Sequence, residues 1–179
     1  NRLINTLDTY KNSMSESLYL QYRGELEVMR SYYYYLLFDS FGRIPYLEVF
    51  EAVTEPLMEP ELVWSHLVAC LERNAPNLPA VTDATRATNY GRVTQGMAYS
   101  LLARLYLNAE SFGCTPENVK FPEGCEIKIA NVNDFYTNAV RCCDMVINSG
   151  SYSIESNYFD NFKVLNENSR ENIFVIVED

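Results

Sequence analysis

The sequence has no long apolar run and no segment that looks like a secretion signal. No stretch approaches the roughly 18 apolar residues that a membrane-spanning helix needs, and the start lacks the charged-then-apolar pattern of a signal peptide. The chain begins at Asn1 within a helical pattern and stops at Asp179 after a strand-like run. We expect its 179 residues to form one domain, residues 1–179, and interpret that domain as a fragment of a longer protein.

Histidine is almost missing, since His66 is the only one. A single imidazole rules out a Cys2His2 zinc pattern and leaves a Ser or Cys nucleophile with one doubtful base. The five cysteines match no paired zinc spacing. Phosphate-binding glycine loops and Gly-x-Ser-x-Gly elbows are lacking too. We therefore predict no metal, no cofactor and no catalytic residue.

Basic residues are scarce as well, with 14 Lys and Arg against 24 Asp and Glu and a net charge of −10. Such a surface repels phosphate backbones, which argues against nucleic acid as a partner. Two of the many carboxylates can always be paired on paper as the acid and base of a glycosidase. Acidic side chains are mostly solvated, however. A glycoside hydrolase built on a helical toroid is therefore an alternative and not our first choice.

Tyrosine, by contrast, is abundant: there are 14, against one Trp. Amphipathic rings in excess of ordinary core needs suggest recognition of a ligand or partner. Residues 32–35 are four consecutive tyrosines, which surround more than one helical turn. Helix-borne rings of this kind usually pack in a core, so we look for binding rings in loops.

Apolar residues at three- and four-residue steps predict several helices, and the clearest follows Thr94, a good capping residue. Gly96, Ser100 and Ala103 form a stripe of small residues there, along which we expect a neighbouring helix to approach closely. The same helix carries the spacing of the first helix of a tetratricopeptide repeat, at Tyr99, Leu102, Ala103 and Tyr106. Its partner is predicted at residues 134–148, with Ala139 and Cys143 at the contact positions.

Residues 111–133 separate these two helices and read as a loop insertion, because they contain two Pro, two Gly and no helical period. Residues 126–130 are predicted to form a short edge strand within it. Earlier in the sequence we predict two helices that end near Gly42, an extended connection over residues 43–57, and a third helix after Pro60 with Trp64 in its core face.

The period changes near the C-terminus, where residues 152–154 and 173–177 are typical of strands. The predicted class is therefore mainly α, with tetratricopeptide-like antiparallel helix pairs forming an α–α superhelix and a minor β component near the C-terminus. A tetratricopeptide scaffold that binds peptides is a further alternative from this pattern alone.

Several ordered blocks resemble the SusD/RagB nutrient-binding lipoproteins of Bacteroidetes-type outer membranes. They are YYYLLFDSFGRIPYL at residues 33–47, GRVTQGMAYSLLARLYLNA at 91–109, AVRCCDMVINSGSYSI at 139–154 and NSRENIFVI at 168–176. The resemblance covers nearly all of this chain, but only the helical-repeat part of the longer family members. The insertion at residues 111–133 departs from the family's usual short link.

The resemblance implies a non-enzymatic, surface-exposed outer-membrane lipoprotein of a polysaccharide-utilisation system. Such a protein binds a nutrient, most plausibly a glycan, and delivers it to a SusC-like TonB-dependent transporter. The lipid anchor would lie before Asn1, so that the membrane is reached only through a segment outside this chain.

For the ligand we choose loop residues: Tyr46 in the extended connection, and Asn89 with Tyr90 before the central helix. Tyr152 is less suitable because it begins a predicted strand. The oxidising compartment implied by the resemblance favours a disulfide between Cys114 and Cys125, which bracket a short polar loop. Five free thiols are the alternative.

Overall fold

The computed structural model describes residues 1–51 and 54–177. Over these residues the chain forms six α-helices: α1 Arg2–Thr9, α2 Glu16–Phe41, α3 Pro60–Asn74, α4 Arg86–Asn89, α5 Gln95–Leu107 and α6 Val132–Ile147. Short 3-10 turns occupy Lys11–Ser13, Ala75–Asn77, Glu110–Phe112 and Tyr158–Phe162. None of the described helices is long and apolar enough to span a membrane. The mainly helical class is confirmed.

The helix ends follow the local signals in the sequence. The Ser15 side chain accepts a hydrogen bond from the Leu18 amide and begins α2, while Thr94 accepts one from Met97 and begins α5. The long helix α2 ends at Gly42, whose φ of 70° is easily reached only by glycine. These caps satisfy amides and carbonyls that have no partner within the helix.

The core lies where α3, α5 and α6 meet, and Trp64 of α3 is at its centre. Its side chain is fully buried, and its Nε1–H donates to the Leu105 carbonyl of α5 at 2.8 Å. The ring makes edge contacts with Tyr106 of α5 and Phe135 of α6, at centroid distances of 5.6 and 5.4 Å. One side chain thus joins three helices, as expected for the core face of α3.

The minor β component lies elsewhere than predicted. The strands in the described residues are β1 Ile44–Pro45 and β2 Leu57–Met58, which pair antiparallel between α2 and α3. Residues 126–130, 152–154 and 173–177 form no strand. Near the C-terminus the Ser153 amide donates to the carbonyl of Arg170, which lies before residues 173–177. Glutamate side chains take the next backbone amides there, so no ladder forms.

Two predictions about the α5–α6 pair need correction. Ala139 is buried against α5 as expected, but its companion is the fully buried Cys142, whereas Cys143 is exposed. In addition, the small-residue stripe does not receive a helix at its first position. At Gly96 the neighbour is Tyr152 of the C-terminal segment.

The insertion is a loop that covers one end of the core. Its Lys120 amide donates to the Ser65 hydroxyl of α3, and Phe121 packs near Trp64 at a centroid distance of 5.9 Å. The predicted disulfide is not formed in the structure, where all five cysteines are free thiols. Cys114 is buried in the core cluster, and Cys125 lies half-buried further along the loop.

Thiol labelling tests this arrangement. Without denaturant, we expect rapid reaction at the exposed Cys143 and slower reaction at Cys125. Cys70, Cys114 and Cys142 should react only after unfolding, because burial excludes the reagent and raises the pKa of Cys114 and Cys142 to about 12. Mass spectrometry after labelling in denaturant, without reductant, should find five modified thiols. Three modified thiols and a 114–125 cross-link would contradict the structure.

Candidate functional site

Tyr46 does not have the exposed ring for which it was chosen. Only 7% of the residue is exposed, and its ring packs against Tyr34 and His66 at centroid distances of 4.6 and 5.1 Å. Its hydroxyl donates to Glu48, and burial first, then the nearby Glu48 charge, raises the pKa of Tyr46. Tyr46 is not exposed as expected, because the ring of Tyr34 in α2 packs against it and covers this part of the connection.

The only histidine of the sequence, His66, packs against the ring of Tyr46. It is half-buried beside Tyr46, and burial lowers its pKa despite the opposing Glu48 charge. No cluster of three or more His, Cys, Asp or Glu suited to a metal ion occurs in the described parts of the chain.

Asn89 and Tyr90, by contrast, lie together at a pocket. It is bordered on one side by the loop of residues 81–94 and on the other by the C-terminal segment, residues 151–177, which we call the strap. The pocket is narrow and partly open, with a cavity volume of about 30 Å³. The Tyr90 hydroxyl donates to Asn166 of the strap at 3.1 Å, and the Asn89 amide donates to the Ala80 carbonyl.

Further polar side chains complete the lining of this pocket, and of these only Tyr152 was weighed as a ligand residue from the sequence. The loop contributes Arg86, Arg92 and Thr94, and the strap contributes Tyr152, Glu167, Ser169 and Asn172. The strap residues are more than 60 positions away from most of the loop residues, so no local spacing brings them together. Rings, amides and charged groups in one concave site are the groups that hydrogen-bond and stack on a polar ligand.

The strap is clasped to the loop by charged and polar contacts. Arg86 donates to the Ser151 carbonyl, and Ser151 donates in turn to the Val81 carbonyl. Arg170 of the strap pairs with Asp83 of the loop at 3.2 Å. These contacts hold the two walls of the pocket in place.

Tyr152 is the apolar anchor of the strap, and a missing side chain makes room for it. A Cβ at Gly96 would lie 2.2 Å from the Tyr152 hydroxyl oxygen and 2.6 Å from its Cζ. No pair of non-bonded atoms tolerates those distances, so Gly96 allows the ring to lie against the first turn of α5. The position of Tyr152 in the pocket therefore depends on this glycine.

Gly96→Ala should displace Tyr152 and destabilise the fold by about 1–3 kcal/mol through overpacking. In a Tyr152→Ala background the same change should be neutral or slightly stabilising, because alanine favours a helix by roughly 0.5–1 kcal/mol over glycine. The double-mutant cycle is measured by urea unfolding. Gly24→Ala in α2 is the matched control, since its Cβ would meet atoms no closer than 3.5 Å. Equal costs of Gly96→Ala with and without Tyr152 would show that the close approach is absent.

Three solved structures have folds similar to the fold of this chain. Surface glycan-binding protein A from Bacteroides uniformis is similar with a TM-score of 0.73 and 25% identity, over 97% of this chain and 34% of its own. A SusD-like protein from Bacteroides fragilis has a TM-score of 0.69 and 17% identity, over 96% of this chain and 31% of its own. A laminarin-binding SusD-like protein has a TM-score of 0.66 and 20% identity, over 90% of this chain and 31% of its own.

A scan against protein-family models and a search of the curated proteins find no match to the sequence. The chain spans about a third of the length of the solved structures that it matches. Within that third the correspondence is nearly complete, which agrees with the four sequence blocks that suggested it. Over its described residues the chain has the fold of the SusD-like proteins, and the resemblance identified from its motifs is confirmed.

Proposed function

We propose that this chain is part of a non-catalytic glycan-binding protein of the cell surface. The observation that carries the proposal is the similarity of nearly the whole chain to a surface glycan-binding protein at 25% identity. The pocket between loop and strap gives independent support, because it combines the rings of Tyr90 and Tyr152 with the amide of Asn89. Sugars offer hydroxyl groups for amides and apolar ring faces for aromatic side chains.

The hydrolase alternative finds less support at this pocket. Of the described residues that line it, Glu167 is the one carboxylate. Glycosidases of either stereochemistry ordinarily use a pair of carboxylic acids across the scissile bond. A binding site without turnover is the simpler reading of a pocket with one acid, two arginines and two tyrosine rings.

We extend the proposal to the protein partner of this chain and to its cellular location. We propose a surface-exposed outer-membrane lipoprotein that passes its glycan to a SusC-like TonB-dependent transporter. Co-purification of the full-length protein with a tagged transporter encoded beside it would support this step. A full-length protein that binds glycan but never associates with that transporter would contradict it.

Glycan binding is tested by titrating the full-length protein with an oligosaccharide panel that includes laminarin fragments. Tyr90→Ala should weaken binding by about 1 kcal/mol, the size of one aromatic contact, and Asn89→Ala should also weaken it. Tyr136→Ala is the matched control, because this exposed tyrosine lies on α6 away from the pocket lining. Chromatography of the glycan after long incubation should show no cleavage products. Cleavage that one Asp or Glu substitution abolishes would favour the hydrolase.

A further inference from the structure

The pocket differs in charge from the rest of the chain. The chain as a whole has a net charge of −10, but the ionisable side chains at the pocket are Arg86, Arg92 and Glu167, with tyrosines beside them. Arg92 is already paired with Glu25 of α2 at 2.5 Å, so its charge is compensated. Arg86 is the other cation at this pocket.

Arg86 is almost enclosed, with 12% of its side chain exposed. The carboxylate nearest to it is that of Asp83, at 3.9 Å, and 75% of the Asp83 side chain is exposed. The same Asp83 oxygen lies closer to Arg170, at 3.2 Å. Among the described residues, the one hydrogen-bond partner of Arg86 is the Ser151 carbonyl, which carries no formal charge. An enclosed guanidinium without a close anionic partner is costly, because burial removes the water that would solvate it.

A second donor at the pocket also lacks an acceptor. The Nδ2 atom of Asn172, which lines the pocket from the strap side, is buried and has no hydrogen-bond partner in the part of the chain that the structure describes. Buried side-chain donors are nearly always satisfied in native proteins, so an unsatisfied one at a pocket requires an explanation. Both side chains have room for a further oxygen acceptor, and at Arg86 a negatively charged acceptor would compensate the guanidinium.

We propose that this pocket binds the carboxylate of an acidic, uronic-acid-containing glycan, with Arg86 as the residue that determines specificity. The inference rests on the proposed function and adds the class of glycan to it. A planar carboxylate matches the fork of a guanidinium and accepts two parallel hydrogen bonds from it. Glu167 on the opposite side limits the affinity, since it repels a ligand carboxylate from the same pocket.

The test is calorimetric titration of the full-length protein with three probes: oligogalacturonate, its methyl ester and a neutral laminarin oligosaccharide. The parent should bind oligogalacturonate about tenfold more tightly than the methyl ester, which corresponds to one charge-assisted contact. Arg86→Gln should remove this preference, so that the acid and its methyl ester bind alike. Glu167→Gln should strengthen binding of the acid alone, by roughly threefold in view of its half-exposed position.

Control measurements separate the loss of the Arg86 charge from a loss of the fold. Arg43→Gln is the matched substitution, since Arg43 is an exposed arginine that pairs with Glu59 outside the pocket. Arg86 also holds the Ser151 carbonyl, so unfolding of its variants is followed by circular dichroism. Glu167→Gln tests the charge even if the Arg86 variants do not fold.

Each result decides one of the two proposals. Equal binding of acid and ester overturns the carboxylate inference while the proposed function stands. Binding of no glycan by the parent protein overturns the proposed function itself, and the inference with it.

Discussion

Glu27→Ala should lower the free energy of unfolding by about 3 kcal/mol, because it removes the acceptor at the centre of a buried ion-pair network. Only 4% of Glu27 is exposed. Its carboxylate accepts from Arg23 at 3.1 Å, from Arg73 at 2.9 Å and from Asn74 at 2.7 Å, and so joins α2 to α3. We expect a cost at the lower end of the range for broken buried ion pairs, because Arg73 is mostly exposed and water can solvate its charge once the Glu27 carboxylate is removed.

The pH dependence of this effect has a definite sign. Burial by itself would raise the pKa of Glu27, but the hydrogen bonds and charges of Asn74, Arg73 and Arg23 outweigh it and hold the pKa below its ordinary value of 4.5. A carboxyl group with a lowered pKa stabilises the fold above its unfolded-state pKa, and this contribution disappears as the pH falls through the folded-state pKa. The difference in stability between the parent and Glu27→Gln should therefore narrow below about pH 4.5.

Urea unfolding followed by Trp64 fluorescence measures both quantities, since Trp64 is the one tryptophan in the sequence. Glu123→Gln, at an exposed position of the insertion loop, is the control and should change stability by less than about 0.5 kcal/mol at any pH. A pH-independent difference for Glu27→Gln would mean that the ionisation of Glu27 does not contribute to stability.

Trp64→Ala should be the most costly substitution in the core, at about 3–5 kcal/mol. It removes the largest fully buried side chain and leaves a cavity among α3, α5 and α6. It also leaves the Leu105 carbonyl without its donor. Because the ring bridges three helices, relaxation of any one of them cannot fill the space.

Two further variants separate the causes of this loss. Trp64→Phe keeps an aromatic ring but cannot donate to Leu105, so it should cost clearly less than the alanine variant. Phe41→Ala removes an aromatic ring that is 72% exposed at the end of α2 and should change stability by less than about 0.5 kcal/mol. Thermal unfolding is followed by circular dichroism here, because the fluorescent residue is lost. A cost below about 1 kcal/mol for Trp64→Ala would show that Trp64 does not organise the core.

Local signals in the sequence determined the helices and their ends. Thr94 and Gly42 mark their helix boundaries through backbone geometry that depends on a few neighbouring residues. The apolar period likewise predicted the helix α5, and Tyr99, Leu102 and Tyr106 of its repeat spacing are buried. Propensity, capping and periodicity act over at most a few turns, and therefore one sequence is enough to read them.

The tertiary structure alone decided how the strap is used. Residues 152–154 and 173–177 have strand-like composition, yet they form no ladder because no neighbouring strand offers a continuous row of partners. Instead Tyr152 lies against Gly96, and Asn166 receives the Tyr90 hydroxyl. Which face of a segment is covered depends on residues distant in the chain. For the same reason Tyr46, which seemed exposed from its loop position, is buried.

The residues of the candidate pocket also divide into those that the sequence predicted and those that only the tertiary structure brought together. Asn89 and Tyr90 could be chosen from the sequence, because loop residues before a helix are free to bind. Arg86 and Asn172 could not, since what distinguishes them is their surroundings in space. The carboxylate nearest to Arg86 is 3.9 Å away, and Asn172 Nδ2 has no acceptor among the described residues, which no sequence pattern records. Local chemistry in the sequence thus determined the helices and two of the residues at the pocket. The packing of the strap against the loop decided the shape and charge of that pocket, because burial and pairing exist only once distant segments meet.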